Sequence, residues 1–258
     1  MRVTGSTENG CTGGPRDRRS RSLAIGEGSS RAFFALEVMG VCVGLMSGGI
    51  DSPVAAARDM RVGWDLHPLH FSMEPITGPE ARERTVAGLK HLKGIEGPLG
   101  REMSTRIASR LVVVPVAEAM ANFTESWCHS EYFIHMKRLF NTIATVHAKE
   151  VGATHVLTGE NLGQVSSQTL GNLGAVEEAT DLELLRPLLG FDKSAITDMA
   201  RALGTYELSI GPEVCDTLGP KHTTTVGNRE WLERSEARVG GLDALAEHAW
   251  SRRTSVPL

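Results

Sequence analysis

The chain has 258 residues, of which 41% are hydrophobic and 22% are charged, and its formal net charge is -4 at pH 7. This composition predicts a globular protein with one sizeable core, and it excludes a surface that is basic enough to bind nucleic acid over its whole extent. No apolar run has the length of a membrane span, and we expect no secretory signal. Four widely spaced cysteines without a CxxC pair predict neither a zinc site nor a disulfide framework and indicate the cytoplasm: Cys11, Cys42, Cys128 and Cys215.

The first part of the chain is predicted to be a disordered basic tail. Residues 1–33 are rich in Gly, Ser, Thr and Arg and lack apolar periodicity. Three interpretations stay open: the tail contacts RNA phosphates, it is merely solvated, or the natural chain starts at Met39.

A strand, a glycine-rich turn and a helix follow the tail. Val41–Met46 is an apolar run suited to a buried parallel strand, and Pro53–Arg61 is helix-like, with Ser52 as its predicted cap. Between them lies the turn SGGIDS, residues 47–52. Free backbone N–H groups and the positive end of the helix dipole converge at such a turn, so the pattern predicts a phosphate site. Asp51 could hold Mg²⁺ on phosphate oxygens.

The remaining elements alternate between strands and helices. Further strands are predicted at 65–71, 111–115, 154–157 and 182–185, and helices at 80–93, from 116, at 132–151, 193–203, near Trp231 and at 242–250. Asp192 and Asn228 are predicted helix caps, and Gly152 and Gly204 follow helix ends. This order predicts an α/β fold with a parallel five-stranded sheet and helices on both faces.

Ligands of such sheets bind beyond the carboxyl ends of the strands, where the strand order reverses. The SGGIDS turn, the end of the second strand at His70 and Phe71, and the turn after the fourth strand all lie on that edge. We therefore expect three loops that are distant in sequence to form one cleft.

Three motifs carry a family resemblance. SGGIDS after an apolar strand lacks the GxxxxGK[ST] pattern of a Walker A loop and resembles the pyrophosphate loop of ATP pyrophosphatases. TGENLGQVSSQTLGNL at 158–173 and RPLLGFDKSAITDMARALGT at 186–205 resemble the ATP-pyrophosphatase domain of tRNA 4-thiouridine synthetase, a sulfurtransferase family also linked to the thiazole of thiamine. The resemblance covers roughly 41–226. It implies a Rossmann-like fold of the adenine nucleotide α-hydrolase type, with that domain at 34–226 and a C-terminal helical extension at 227–258.

The resemblance also implies roles for individual residues. Three are expected to be needed for activity: Asp51, Lys193 and Cys215, the last as the active cysteine. The expected ATP contacts are Leu45, Met46, Ser47, Gly48, Gly49, Ile50, Asp51, Ser52, His70, Phe71, Lys137, Gly159 and Gln168, with Arg138 beside Lys137.

Several of these residues have a simpler interpretation that the sequence leaves open. Lys193 starts a helix, where a cation is unfavourable, so an anion partner is indicated, but a solvated lysine is the alternative. Gln168 could be an exposed helix residue, and His70 a packed strand residue. Cys215 lies in a loop flanked by Gly–Pro pairs, and this position is compatible both with a reactive thiolate and with an inert thiol.

The other three cysteines have less support for a role in sulfur chemistry or metal binding. Cys42 is expected to be inert inside its strand, and Cys11 lies in the tail. Cys128 is a weaker candidate for sulfur transfer, and a metal site formed with His129 and His135 lacks a recognisable ligand spacing.

The predicted reaction has two stages. With ATP and Mg²⁺, a uridine carbonyl of tRNA, at position 8 by resemblance, is adenylated; sulfur from a persulfide or sulfide donor then displaces AMP, with Cys215 resolving or relaying it. We expect the chain to be the catalytic core alone, without the RNA-binding THUMP region or rhodanese domain of some relatives. A separate RNA-binding partner, a small-molecule substrate in thiamine or other sulfur metabolism, and a non-catalytic ATP- or AMP-binding subunit are the alternatives. A homodimer is compatible with the last helices.

Overall fold

A six-stranded sheet with helices on both faces forms the centre of the described part of the chain. The structure is a computed structural model that describes residues 38–96, 103–163, 168–211 and 215–258, with the backbone alone at Cys215 and Asp216. The predicted tail, 1–33, and Cys11 lie outside these residues. The described residues belong to one unit, Leu36–Leu258.

The strands of the sheet are three to nine residues long, and the longest lies near the centre. The strands are β1 (Gly40–Leu45), β2 (Trp64–Ser72), β3 (Arg110–Pro115), β4 (His155–Leu157), β5 (Glu183–Leu185) and β6 (Thr254–Pro257). Their order is β5-β4-β1-β2-β3-β6. Every pair is parallel except β3 with β6.

Residues 103–106 are helical, and nine further α-helices connect the strands or follow the sheet in the described residues. They are α1 (Asp51–Arg61), α2 (Glu80–Gly94), α3 (Ala117–Ala121), α4 (Tyr132–Val151), α5 (Leu170–Glu177), α6 (Lys193–Leu203), α7 (Tyr206–Ser209), α8 (Arg229–Arg238) and α9 (Leu242–Ser251). Short 3-10 turns lie at Asn122–Thr124, His129–Glu131 and Cys215–Leu218.

The predicted α/β class is confirmed, but the strand count of five is wrong by one. The five predicted strands are present and parallel. The additional strand β6 pairs antiparallel with β3, for example Val256 with Leu111. Its sequence, TSVP, is short and has no clear alternation, so the local pattern gave no strand signal. The segment 227–258 is therefore two helices followed by a strand, rather than helical throughout.

Most of the predicted helix ends are confirmed. Gly152 and Gly204 adopt left-handed conformations with φ of 71° and 75° and end α4 and α6. The Asn228 side chain accepts a hydrogen bond from the backbone N–H of Trp231 at 3.0 Å, as expected of a cap. Asp192 occupies the N-cap position of α6, but its side chain makes no capping hydrogen bond.

The prediction that Ser52 caps the first helix is wrong. Helix α1 begins at Asp51, two residues before its predicted start at Pro53, and Ile50 is at the N-cap position. Ser52 is buried and its Oγ faces back toward Ser47. The turn enters the helical conformation before Ser52, so its hydroxyl is free to bond within the turn. Helix α5 was also not predicted, although Thr169 caps it by accepting from Asn172 N at 3.2 Å.

The core lies on both sides of the sheet. On one face, Leu139 and Ile143 of α4 pack with Val43 and Val156 of the central strands. On the other, Val54 of α1 and residues of α2 and α6 pack with β1 and β2. A fully buried side chain of this size contributes roughly 1.5–3 kcal/mol, so the two layers fix the helices that carry the loops. Among the described residues, we find no helix with both the length and the apolarity needed to cross a membrane.

The strand order reverses beside β1. The chain passes from β1 to β2 and β3 on one side, and then returns to place β4 on the other side of β1. The loops after β1 and β4 therefore diverge from neighbouring strands and leave a crevice between them. This is the position where open α/β sheets bind ligands.

Candidate functional site

The turn after β1 is closed by its own hydroxyl groups. Ser52 Oγ accepts a hydrogen bond from Ser47 N at 3.3 Å and lies 3.5 Å from Ser47 Oγ, which in turn accepts from Gly49 N at 3.2 Å. These bonds bend the backbone around the first turn of α1, where N–H groups have no partner within the helix. The result is a small cradle of the kind that binds phosphate oxygens.

Two residues of α2 hold the other side of this turn. Gly48 has φ of 79°, and a Cβ at this position would lie 2.3 Å from the carbonyl oxygen of Ala81. Glycine is therefore required both by conformation and by the close approach of α2. Arg84 Nε donates to the Gly48 carbonyl oxygen at 3.0 Å, and its guanidinium also passes beside Gly211. A positive charge is thus fixed at the rim of the turn.

His70 fastens the end of β2 to the start of the turn. Its Nδ1 lies 2.7 Å from the Met46 carbonyl oxygen, and Thr85 Oγ1 is 3.3 Å from the same nitrogen. Burial lowers the pKa of His70, although the bond to Met46 opposes the shift, so the neutral ring is favoured and Nδ1 donates. The predicted site residue is present at the edge, but its imidazole bonds to the backbone and only 2% of its surface is exposed.

An apolar cleft opens next to this edge. Leu45, Met46 and Ser47 from the turn line it together with His70 and Phe71. The α4 residues Met136 and Phe140 also line it, and the rings of Phe71 and Phe140 stack on each other with centroids 3.9 Å apart and planes 14° apart. Flat aromatic and aliphatic walls beside a phosphate cradle suit a planar base. Glu74 and Arg82 also line the cleft and form an ion pair, with Arg82 Nε 3.0 Å from Glu74 Oε1.

The loop after β4 lies against the start of α1. A Cβ on Gly159 would be 3.1 Å from Ser52 N and 3.2 Å from Asp51 Cβ. Gln168 Oε1 accepts from Asn161 N at 3.1 Å, so this predicted ligand residue shapes the loop from within. Asn161 Nδ2 donates to the Leu188 carbonyl oxygen at 2.9 Å and also to the Phe191 carbonyl oxygen, which ties the loop to the segment before α6.

A buried carboxylate joins this loop to α4. Glu160 is 7% exposed, and its Oε1 accepts from Lys137 Nζ at 2.7 Å while its Oε2 accepts from Arg186 Nε at 2.8 Å. Burial favours protonation, but the charges and hydrogen bonds of Lys137 and Arg186 outweigh it and hold the pKa of Glu160 below its ordinary value. Lys137 is thus brought to the crevice from α4, held by a residue that the sequence reading missed.

The other two predicted catalytic residues of known side-chain placement lie on helix starts. Asp51 is half-buried in the first turn of α1, beside Gly159. Lys193 is exposed in the first turn of α6, and none of the described residues hydrogen-bonds or pairs with its ammonium group. Phe191, two residues earlier, is held by Asn161 and lies under Arg58 of α1. The start of α6 is therefore anchored near the crevice with its lysine available.

The predicted sulfur residue Cys215 begins the 3-10 turn Cys215–Leu218. This turn is attached to the 3-10 turn before α4, because His129 Nε2 lies 2.8 Å from the Leu218 carbonyl oxygen. The side chain of Cys215 lies outside the described residues.

The other described cysteines are buried. Burial raises the pKa of Cys42 to about 12 and of Cys128 to about 11, the latter with help from Glu131 and Glu125. Both are therefore thiols near neutral pH and poor sulfur carriers. His135 stacks on Phe123, and in the described part of the chain no three His, Cys, Asp or Glu side chains converge as metal ligands. A metal site of Cys128, His129 and His135 is therefore not formed there.

Arg138, expected beside the nucleotide contact, has a structural role instead. Its Nε and Nη2 bind the two carboxylate oxygens of Glu236 at 2.6 and 3.0 Å, and His135 Nδ1 lies 3.1 Å from Oε1 of the same group. Glu236 belongs to α8, so the pair fastens the C-terminal helices to α4 inside the protein. Adjacent basic residues of one helix thus face different partners, which sequence adjacency cannot distinguish.

Four residues of the site were missed from the sequence. Glu160 lies inside the motif TGENLGQ, whose acidic residue was an available signal, whereas Arg84, Phe140 and Arg186 carry no local signature. Each reaches the site through tertiary packing of an element that is distant in sequence.

Comparisons with known proteins agree with this geometry. A family model described as "Thiamine biosynthesis protein (ThiI)" matches residues 37–240. Relatives named tRNA sulfurtransferase include those of Moorella thermoacetica, 37% identical over 206 residues, and Thermus thermophilus, 38% identical over 211 residues. These alignments cover 79% and 81% of this chain and 50% of each relative. The chain thus spans about half the length of the curated relatives it matches.

A solved structure is also similar. The crystal structure of a 4-thiouridine synthetase–RNA complex with bound ATP superposes with a TM-score of 0.75 and 35% sequence identity. The match covers 84% of this chain and 55% of that one.

Proposed function

Because this chain belongs to the thiamine biosynthesis protein (ThiI) family, we propose that it is the adenylating part of an ATP-dependent tRNA sulfurtransferase. In this proposal it activates a uridine carbonyl of tRNA as an adenylate, and sulfur then replaces the oxygen to give 4-thiouridine. The observation that carries the proposal is the meeting of a phosphate cradle, an apolar cleft and a held lysine at the point where the strand order reverses.

ATP fits the described crevice in one orientation. We place the adenine in the apolar cleft that β2 and α4 line, against the stacked pair of Phe71 and Phe140 rather than between the two rings. The β and γ phosphates then lie in the turn formed by Ser47–Ser52, at the start of α1. This orientation leaves the α phosphate between the turn and Glu160-bound Lys137, whose charge would stabilise the transition state. The similar structure contains ATP, which supports the choice of nucleotide.

Magnesium fits the donor set of this turn. Mg²⁺ is commonly bound by one or two carboxylates together with phosphate oxygens and water, and Asp51 offers such a carboxylate at the cradle. The ion would neutralise charge on the pyrophosphate that leaves. The residues of this chain contribute the orientation: the hydroxyls of Ser47 and Ser52 fix the turn, and Gly159 keeps the neighbouring loop close.

The first step forms a bond between the uridine oxygen and the α phosphorus and breaks the bond to the β-phosphate oxygen, which releases pyrophosphate. In the second step a sulfur nucleophile forms a bond to the activated carbon of the base. The bond between that carbon and oxygen breaks, and AMP leaves with its electron pair. With sulfide as donor, no oxidation is involved. With a persulfide donor, we assign Cys215 the attack on the donor's inner sulfur, which leaves sulfur on the base and a disulfide that an external thiol reduces.

Several parts of the proposal go beyond this chain. The grip on tRNA is assigned to a separate RNA-binding subunit or to a region outside this sequence, and the RNA in the similar structure supports tRNA as the substrate class. A contribution to thiamine thiazole synthesis is consistent with the family description. We propose residues 34–226 as the adenylating domain; 227–258 packs on it through the Arg138–Glu236 pair. The cytoplasmic location and a homodimer remain predictions.

The proposal is tested by incubating the protein with ATP, Mg²⁺, sulfide and unmodified tRNA, in the presence of an RNA-binding subunit or of a relative's RNA-binding region added in trans. We expect AMP and pyrophosphate in equal amounts and thiolated RNA that absorbs in the near ultraviolet. Asp51→Ala should abolish AMP release, whereas Asp198→Ala, which removes an exposed carboxylate on α6, should not. Binding of ATP without AMP release, even with tRNA-binding relatives and sulfur donors added, would contradict an enzymatic role and favour a nucleotide-binding subunit.

A further inference from the structure

Four charged residues from four separate segments form a group at the crevice, and three of them are largely buried. Lys137 comes from α4, Glu160 from the loop after β4, Glu177 from α5 and Arg186 from the residue after β5. Glu160 lies at the centre: it accepts from Lys137 and Arg186, and from Thr158 Oγ1 at 3.3 Å. Arg186 makes a second, outer pair with Glu177 at 2.7 Å.

The inner and outer carboxylates differ in burial. The Glu160 side chain is 9% exposed, whereas that of Glu177 is 53% exposed. Removal of a buried partner leaves an uncompensated charge out of water, while the loss of an exposed pair has little effect. Glu160 and Glu177 both pair with Arg186, so variants of the two carboxylates compare the loss of a buried partner with the loss of an exposed one.

The position of Lys137 points to the reaction rather than to folding alone. Its neighbours on α4, Met136 and Phe140, line the apolar cleft. Its partner Glu160 follows Gly159, whose Cα lies against the first residues of α1. The ammonium is thus held between the proposed base site and the proposed phosphate site. A flexible lysine side chain loses rotamer entropy when it is fixed at a phosphate. A carboxylate that already holds the ammonium before ATP binds means that this entropy cost does not add to the activation free energy.

We propose that Glu160 is a positioning residue that holds the Lys137 ammonium at the α phosphate, with Arg186 and Thr158 keeping the carboxylate in place. This inference rests on the proposed function. Glu160 does not contact ATP in this arrangement; it acts through Lys137. The alternative is a merely structural ion pair that stabilises the fold and has no specific connection to Lys137.

The test is a double-mutant cycle on AMP formation with Glu160→Gln, Lys137→Met and the double variant. Lys137→Met should lower kcat by about 100-fold, the typical effect of losing a group that stabilises transition-state charge. Glu160→Gln should lower kcat by about 10- to 100-fold because the ammonium is misplaced. The double variant should match Lys137→Met within about twofold, since Glu160 has nothing left to position. A purely structural role would instead multiply the two losses.

Controls separate positioning from loss of folded enzyme. Glu177→Gln removes the exposed partner of the same arginine and should keep kcat within about threefold of the wild type. Binding of a non-hydrolysable ATP analogue, measured by calorimetry, should give one site per chain in every variant. If Glu160→Gln does not fold, Glu160→Asp is the second variant, since it keeps the carboxylate on a side chain that is shorter by one methylene. It should show the same loss of kcat, and its double variant with Lys137→Met should again match Lys137→Met alone.

The outcomes are distinct. Absence of AMP formation by the wild type overturns the proposed function and this inference with it. An active wild type with an unimpaired, folded Glu160→Gln variant overturns the inference alone, as do multiplicative losses in the cycle.

Discussion

Gly159 lies in direct contact with the start of α1, so that a Cβ on it would be 3.2 Å from Asp51 Cβ. The loop after β4 and the turn after β1 therefore pack backbone against backbone at the point where the crevice between them closes. Because neither backbone can yield without moving its strand or helix, this contact sets the width of the proposed phosphate site.

Substitution of Gly159 should weaken nucleotide binding. An alanine at 159 would place its Cβ 3.1 Å from Ser52 N, and valine would add two methyl groups. Overpacking of this kind typically costs about 1–3 kcal/mol, so we expect the Kd for ATP to rise by roughly 5- to 150-fold. Isothermal titration calorimetry measures the change. Gly174→Ala, in α5, meets nothing within 4 Å and should leave ATP affinity unaltered. Equal affinities of all three proteins would show that the contact is not limiting.

Replacement of Phe140 should selectively weaken binding of the base. Its ring stacks on Phe71 in the cleft, and Phe140→Ala removes one flat wall. Stacking of a base on an aromatic ring contributes about 1–3 kcal/mol, so ATP affinity should fall by about 10-fold or more while affinity for inorganic pyrophosphate stays the same. Phe133→Ala is the matched control, since Phe133 is an aromatic residue of the same helix that lies over Gly219 and not in the cleft. An equal loss with both variants would contradict this site.

The buried residue His147 should make the protein less stable in mild acid. Burial lowers the pKa of His147 to about 4 from 6.5, and the nearby His67 adds to the shift. Above about pH 6.5 neither the folded nor the unfolded state binds this proton, and the histidine is neutral in both. Between about pH 6.5 and 4 only the unfolded state binds it, so the free energy of unfolding falls by up to about 3 kcal/mol as the pH is lowered.

Urea unfolding of the wild type and of His147→Leu at pH 7 and pH 4.5 measures this contribution. The decrease between the two pH values should be smaller in the variant, because the other titrating groups are common to both proteins. Equal decreases would show that His147 does not contribute.

Cys215→Ser should separate the two chemical steps. A serine hydroxyl cannot resolve a persulfide, whereas adenylation does not use this side chain in the proposed mechanism. With a persulfide donor, we expect AMP release to continue and 4-thiouridine to be absent. The matched variant Cys128→Ala, which alters a buried thiol with a raised pKa, should retain thiolation. Nucleoside analysis by chromatography provides the measurement, and full thiolation by Cys215→Ser would exclude the assigned relay.

The amino-acid sequence by itself determined the elements and the edge on which the site lies. Val41–Met46, the turn at 47–52 and Tyr132–Val151 were each predicted within a residue or two of their positions. These features depend on local periodicity, on left-handed glycines such as Gly152 and on the rule that parallel strands share their carboxyl edge.

Tertiary structure alone decided which side chains meet. Ser52 was expected to cap α1 but bonds to Ser47, and Arg138, the sequence neighbour of the expected nucleotide contact Lys137, binds Glu236 of α8. The pairing of Lys137 with Glu160, which are 23 residues apart, requires α4 and the loop after β4 to converge over the sheet. Local sequence fixes which backbone conformations are favourable, but charge pairing and close packing depend on distances between elements. Those distances are set by the burial of both sheet faces, a property of the whole fold.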